Sequence, residues 1–348
     1  IGTGCTTCWH TARASRSKTR FFANRLTRLY YTGRWEIVQE IMNHKMIMIL
    51  GVTASGKGRL AFELARQIDA EIISVDSMKV YRRMDVGTAK PSLEARRQVR
   101  YHMIDVVEPS ESFSAGLFLE KASAAIEEVR GRGRSVVAVG GTALYSKALL
   151  YGLFEGPGSD ERTRRELLAR VESEGPAALH RELSEIDPAA ADRISPNDAR
   201  RIVRALEVHR LTGRPISSLQ RQFDGPGAVE NWTIIGLRRE KPVESARINA
   251  RVKKMVQMGL VDEVRSLLAE EEPLSPQARC AIGYAEMIEH VQGRLSLDEA
   301  VEQIKKNTRR LAKGQRTWFR RFPDVTWIDV GAEESVESVL ERVMQRIG

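Results

Sequence analysis

The 348-residue chain has 42% hydrophobic and 29% charged residues, 26 Gly and 12 Pro, a composition that fits roughly two folded domains and excludes collagen-like, coiled-coil and wholly disordered classes. Its net charge of +9 suggests a polyanionic partner, yet residues 1–45, with eight Lys/Arg against Glu36 and Glu40, hold six of those charges, so any nucleic-acid argument rests on local patches. Three cysteines make no disulfide framework and point to a reducing compartment, Cys5 and Cys8 have no second pair, and no His stands at ligand spacing from another His or Cys, so zinc is not expected. The longest apolar run, Met46–Val52, has the length of a strand rather than the roughly 20 residues of a membrane helix, so no membrane contact is expected.

In chain order, residues 1–45 come first. They are rich in Arg, Ser and Thr, with no acid before Glu36 and no Met before Met42. That composition is similar to a mitochondrial transit peptide. The favoured reading is a mis-started frame with the natural start at Met42, Met46 or Met48, which makes the protein cytoplasmic; a true transit peptide would make it mitochondrial. Disorder is expected over 1–45. Continuous apolar runs at 46–52, 71–77, 101–107, 135–141, 232–237 and 325–330 read as strands, and 57–69, 114–130 and 142–152 between them as helices. Buried strands separated by helices predict an α/β fold, a mostly parallel sheet of the P-loop NTPase type with helices on both faces. The strand signal vanishes over 156–230, where charged amphipathic helices broken by Gly and Pro predict an all-helical insertion domain. Segments 46–155 and 231–330 then form the core, with further helices near 243–258, 260–270 and 295–318, and a C-terminal helix occupies 331–348.

The segment Gly51, Val52, Thr53, Ala54, Ser55, Gly56, Lys57, Gly58 follows the first strand and opens a helix. Amides of a glycine-rich turn at a helix N-terminus cradle phosphate oxygens, and Lys57 adds a point charge. The match to G-x-x-x-x-G-K-[ST] fails only at Gly58, where a hydroxyl would help hold Mg²⁺; that contact passes to water or to Ser55. Such a loop alone fits a kinase or a nucleotide hydrolase. Asp76 and Ser77 fall at the carboxyl end of the second strand, which faces the ligand crevice in open α/β sheets, so Asp76 is a candidate general base, with a metal-water ligand or a helix cap as the alternatives.

Six ordered stretches, "GVTASGKG", "ISVDSMKVYRRMDVGTAKP", "VGGTALYSKALLYG", "SPNDARRIVRALEV", "AIGYAEM" and "QRTWFRR", resemble the tRNA dimethylallyltransferases over about residues 46–330. The resemblance implies transfer of a dimethylallyl group from dimethylallyl diphosphate to the exocyclic N6 amine of the adenine 3′-adjacent to the anticodon, with Mg²⁺ as cofactor. It makes Gly51–Gly58 the donor cradle, Asp76 the general base, and Lys57, Thr142 and Arg251 the other catalytic groups. Ser77, Met78, Lys79, Thr142, Arg164, Arg200, Arg201, Ile202, Val203, Arg204, Arg279 and Tyr284 become tRNA contacts alongside Asp76.

The residue types suit that chemistry. Ionisation at an allylic carbon leaves negative charge on diphosphate for Lys57, Arg251 and loop amides to meet, and the adenine must leave the stacked anticodon loop to reach them. Two basic stretches qualify as backbone contacts: Arg200, Arg201, Arg204 and Arg210 at helical spacing, and the run from Lys305 to Arg321, which has no acid and interleaves Trp318 and Phe319. Gly314 and Ala285 stand where the family usually has basic residues, and Cys280 is expected to be at least half-buried. A monomer is the default. A small-molecule kinase, prenyl transfer to free AMP, and a tRNA-binding module with a vestigial loop remain as rivals at this point.

Overall fold

A computed structural model describes residues 45–154, 156–220 and 231–347. The N-terminal expectation, Cys5 and Cys8 therefore lie outside the described residues, as do the last ten positions of the expected insertion. The sheet is built from β1 (Met46–Gly51), β2 (Ala70–Val75), β3 (Tyr101–His102), β4 (Ser135–Gly140), β5 (Trp232–Arg238) and β6 (Thr326–Asp329), in the order β3-β2-β4-β1-β5-β6. Every pairing is parallel.

Helices follow the strands in chain order: α1 (Lys57–Gln67), α2 (Leu93–Gln98), α3 (Ala115–Gly131), α4 (Ala143–Tyr151), α5 (Glu161–Glu174), α6 (Pro176–Ile186), α7 (Pro188–Ala191), α8 (Ala199–Thr212) and α9 (Ile216–Leu219) precede β5. After it come α10 (Lys241–Gln257), α11 (Leu260–Leu268), α12 (Pro276–Arg279), α13 (Tyr284–Val291), α14 (Leu297–Phe319) and, beyond β6, α15 (Val336–Ile347).

The continuous apolar strands are explained by burial on both faces. Alternate residues take opposite sides: Ile47, Ile49, Ile72, Val137, Val139, Ile235 and Leu237 pack with α1 and α15, while Met46, Met48, Leu50, Ile73, Val75, Val136 and Ala138 pack with α3, α4, α10, α11, α13 and α14. Between Gly152 and Gln220 the described chain is helical apart from its connections, and Leu167, Leu179, Leu183, Ile202, Val203 and Leu206 form a separate apolar cluster.

One strand differs from expectation. Only Tyr101–His102 of 101–107 pairs in the sheet, because Met103 (φ 62°) and Asp105 (φ 56°) turn the chain out of the extended conformation. Val106 and Val107 then donate to Val80 O at 2.7 and 3.1 Å, and Asp105 pairs with Lys90 and Arg96. The apolar pattern there records core contacts of Met103 and Val107 rather than a sheet ladder.

Because the strands are parallel, the segments after β1, β2, β4 and β5 all emerge at one edge. Strands β2, β3 and β4 lie to one side of β1, and β5 and β6 to the other. The chain thus changes winding direction at β1, the position where an open α/β sheet forms its ligand crevice.

Candidate active site

The loop after β1 is shaped by two left-handed residues, Ala54 (φ 62°) and Gly56 (φ 100°). At Gly56 only a residue without Cβ adopts that φ without strain. The carbonyls of Ala54 and Ser55 are held by the Nε groups of Arg247 and Arg239, each at 2.9 Å. With these carbonyls anchored to arginines, the amides that open α1 have the arrangement of a backbone nest, a geometry suited to an anion.

Lys57 is the first residue of α1, and its Nζ donates to Val52 O at 3.1 Å. Its pKa falls from 10.5 to about 7, first through loss of hydration and then through the charges of Arg251 and Lys79, against the opposing pull of Asp76. Burial likewise lowers the pKa of Lys79 and of Arg251, and Asp76 again opposes it. Three half-buried cations therefore share one carboxylate. The balance of charge around that carboxylate is positive.

Asp76 directly follows β2. Its Oδ1 accepts from the amides of Met78 (2.9 Å) and Lys79 (3.3 Å), while its Oδ2 accepts nothing from the described residues. The first oxygen fixes the turn and the second stays open to a proton donor. Thr142 caps α4 just after β4, with its Oγ1 accepting from Ser77 N at 3.0 Å and lying 3.4 Å from Ser77 Oγ, so the tips of β2 and β4 are joined. Arg251 enters from α10 and donates from Nη2 to Thr88 O at 3.5 Å. The structure thus brings Lys57, Asp76, Ser77, Met78, Lys79, Thr142 and Arg251 to one edge of the sheet.

Ser55 does not fit the role of metal ligand expected of it. It is 1% exposed, its Oγ accepts from Lys57 N at 3.4 Å, and a Cβ on Gly51 would lie 2.7 Å from that oxygen. The hydroxyl is turned beneath the loop. Gly58 supplies none in its place, and among the described residues no three His, Cys, Asp or Glu converge to hold a metal. These residues do not build a magnesium centre.

The expected tRNA contacts divide. Arg200 and Arg279 are exposed, and Arg201 pairs with Asp198 at 2.8 Å. Ile202 and Val203 are core residues of the helical segment, 0% and 3% exposed, because they lie on the face of α8 opposite to solvent; their side chains are packed, which leaves the backbone of α8 as what they could offer to tRNA. Tyr284 is also packed. It is fully buried, with its hydroxyl donating to Glu263 at 2.6 Å. Arg164 and Arg204 both donate to Glu207 Oε2 at 2.8 Å, and Arg204 also bonds Pro157 O at 2.7 Å and lies over the Phe154 ring. Those two arginines brace the helical segment. Cys280, expected to be at least half-buried, is exposed.

Residue-by-residue reading missed Arg239, Arg247 and Gln315. Arg239 follows β5, the parallel neighbour of β1, and Arg247 precedes Arg251 by one helical turn, so strand adjacency and helical spacing could have found both. Gln315 was visible only as part of a basic stretch.

Comparison with known proteins matches residues 79–322 to the family described as IPP transferase. A tRNA dimethylallyltransferase of Geobacter metallireducens is 46% identical over 300 residues, covering 86% of this chain and 96% of that protein. A crystal structure titled as the full-length tRNA isopentenylpyrophosphate transferase of Bacillus halodurans is 41% identical with a TM-score of 0.63, over 87% of this chain and 97% of that one. A eukaryotic dimethylallyltransferase described as acting on tRNA aligns with a TM-score of 0.72 at 25% identity, over 87% of this chain and 79% of the other.

Proposed function

Because the chain belongs to the IPP transferase family, we propose that it transfers a dimethylallyl group from dimethylallyl diphosphate to the N6 amine of the adenine 3′-adjacent to the anticodon of tRNA. Prenyl transfer to tRNA follows from the family; the donor, the position and the mechanism are this proposal. The observation that carries it is the surplus of cations around Asp76 beside a phosphate loop.

In this reading the loop amides, Lys57 and Arg251 hold the diphosphate, and the flipped adenine presents its amine from the side of Ser77, Met78 and Lys79. As the C1–O bond of the donor breaks, its electron pair stays on diphosphate, where the cations meet the growing charge. The amine nitrogen forms the new bond to C1, and Asp76 Oδ2 takes its proton. The products are prenylated tRNA and diphosphate, with no covalent enzyme intermediate. Magnesium arriving on the donor's own phosphates would need no protein cage, and no step is routed through it. The cytoplasmic reading is consistent with the bacterial origin of the curated relatives, and a monomer stays part of the proposal.

Gly58 removes the hydroxyl that phosphoryl-transferring loops normally place on the metal, which weighs against ATP as the ligand of this loop. Incubating the protein with dimethylallyl diphosphate, unmodified tRNA, AMP and ATP, then weighing the products, separates the readings. The expected product is tRNA heavier by one dimethylallyl group, with AMP and ATP unchanged. Phosphorylated product, prenylated AMP, or tRNA binding without turnover would each replace the proposal.

A further inference from the structure

Gln315 makes two hydrogen bonds that join separate parts of the crevice. Its Oε1 accepts from the amide of Thr53, inside the phosphate loop, at 2.8 Å. Its Nε2 donates to Gly141 O, one residue before Thr142, at 2.8 Å. The fit is close, since a Cβ on Gly141 would lie 2.5 Å from Gln315 Nε2 and 3.5 Å from Lys57 Nζ. Below it on the same helix, Ala312 packs against Val52 and Ile248.

The opposite face of α14 is different. Lys306, Arg310 and Lys313 are exposed, and at about 100° per residue they form a stripe roughly opposite Gln315. One helix thus carries a basic stripe outward and a polar clamp inward.

We propose that Gln315 is a positioning residue for the donor: by bridging Thr53 and Gly141 it sets the distance between the phosphate loop and the Asp76–Thr142 side of the crevice. The inference deepens the prenyl-transfer reading and rests on it for the identity of the donor. The bridge fixes where Lys57 stands relative to Asp76, so its loss disturbs donor affinity and the chemical step together. Misplacement of reacting groups by about 1 Å costs on the order of 10²-fold in rate.

The test uses Gln315→Met, which keeps volume and deletes both hydrogen bonds, and Gln315→Glu, which keeps the acceptor for Thr53 and places a carboxylate beside Lys57. Inorganic diphosphate is titrated by calorimetry, and KM and kcat for dimethylallyl diphosphate are measured with saturating tRNA. The expected result for Gln315→Met is about tenfold weaker diphosphate binding, a raised donor KM and a kcat lowered by about 10–100-fold, with tRNA affinity near that of the parent and the melting temperature lowered by a few degrees in a protein that remains folded. Gln315→Glu should bind diphosphate more weakly still. Parental diphosphate affinity, KM and kcat in a folded Gln315→Met protein overturn the inference. If the parent transfers no prenyl group the functional reading fails, and the diphosphate titration still decides the role of Gln315.

Discussion

Lys57, Lys79 and Arg251 gather around Asp76, while Arg164 and Arg204 gather around Glu207, and the two arrangements are built from similar groups to opposite effect. At Asp76 burial pushes all three cations toward their neutral forms, and one carboxylate oxygen accepts nothing among the described residues. At Glu207, itself 0% exposed, two guanidinium groups and the amide of Asp160 use the carboxylate, whose pKa stays below its ordinary value because those partners outweigh its desolvation. The first leaves an unspent carboxylate oxygen and an excess of cations, the second is a closed strut. Arginine count alone does not distinguish them; the state of the partners does.

The largest effect expected from breaking this comparison is at its one open carboxylate. Asp76→Asn keeps an oxygen for the amides of Met78 and Lys79 but removes the base, so single-turnover prenyl transfer should fall by about 10²–10⁴-fold with donor and tRNA affinities nearly unchanged. Single-turnover kinetics beside binding titrations check it.

Lys57 tests the cation surplus. With its pKa near 7, the free protein carries a mixture of ammonium and amine, and diphosphate binding should restore the ammonium by taking up a proton. Donor affinity is expected to fall as pH rises above about 7, with a slope of up to about tenfold per unit. Calorimetry in buffers of different ionisation enthalpy should register the uptake, and Lys57→Met should abolish it. A lysine depressed in the fold costs stability while charged, and that cost is relieved as pH climbs from about 7 toward 10.5. Stability should rise with pH over that window, because the unfolded chain holds the proton that the folded one has lost.

The closed strut should respond in stability rather than in recognition. Glu207→Ala leaves two arginines and an amide without their acceptor and should destabilise the protein by about 1–3 kcal/mol, leaving the salt dependence of tRNA binding unaltered in a folded sample. Replacing Lys306, Arg310 and Lys313 with Ala should do the converse. Melting temperature should hold, while the log–log salt slope flattens by up to about 0.7–0.9 for each lost phosphate contact. Chemical denaturation and salt-titrated tRNA binding read the two effects separately.

The smallest effect is a gain. Gly314 sits exposed in the middle of α14 with open space where a Cβ would be. Gly314→Arg should add about 0.5–1 kcal/mol of stability through helix propensity and steepen the salt slope by less than one.

Much of the fold was legible because burial writes a plain pattern: continuous apolar runs found the long strands of the sheet, and their spacing with helices found its parallel sense. Residues 101–107 misled because core contacts and ladder pairing leave the same apolar trace, and only the backbone turns at Met103 and Asp105 tell them apart. That the 51–58 loop, Asp76 and Thr142 lie together at the strand ends was legible because each adjoins a strand terminus. The burial of Ile202, Val203 and Tyr284 was not legible, because a motif lists neighbours in sequence without saying which way a helix turns them. Gln315 was hidden for another reason. Its bonds to Thr53 and Gly141 span 262 and 174 residues, separations over which no local pattern operates.

The parallel sense of the sheet also sorts the molecule by tolerance. Reactive groups gather at the ends of the strands, whereas β1 begins at the opposite rim, about 20 Å away for six residues at ~3.3 Å each. At that rim the Lys45 ammonium bonds the carbonyl of Ile347, so the first and last parts of the described chain adjoin. Proximity of this kind favours circular permutation. A fluorophore or surface tether attached at Lys45 would stand at the rim opposite the crevice.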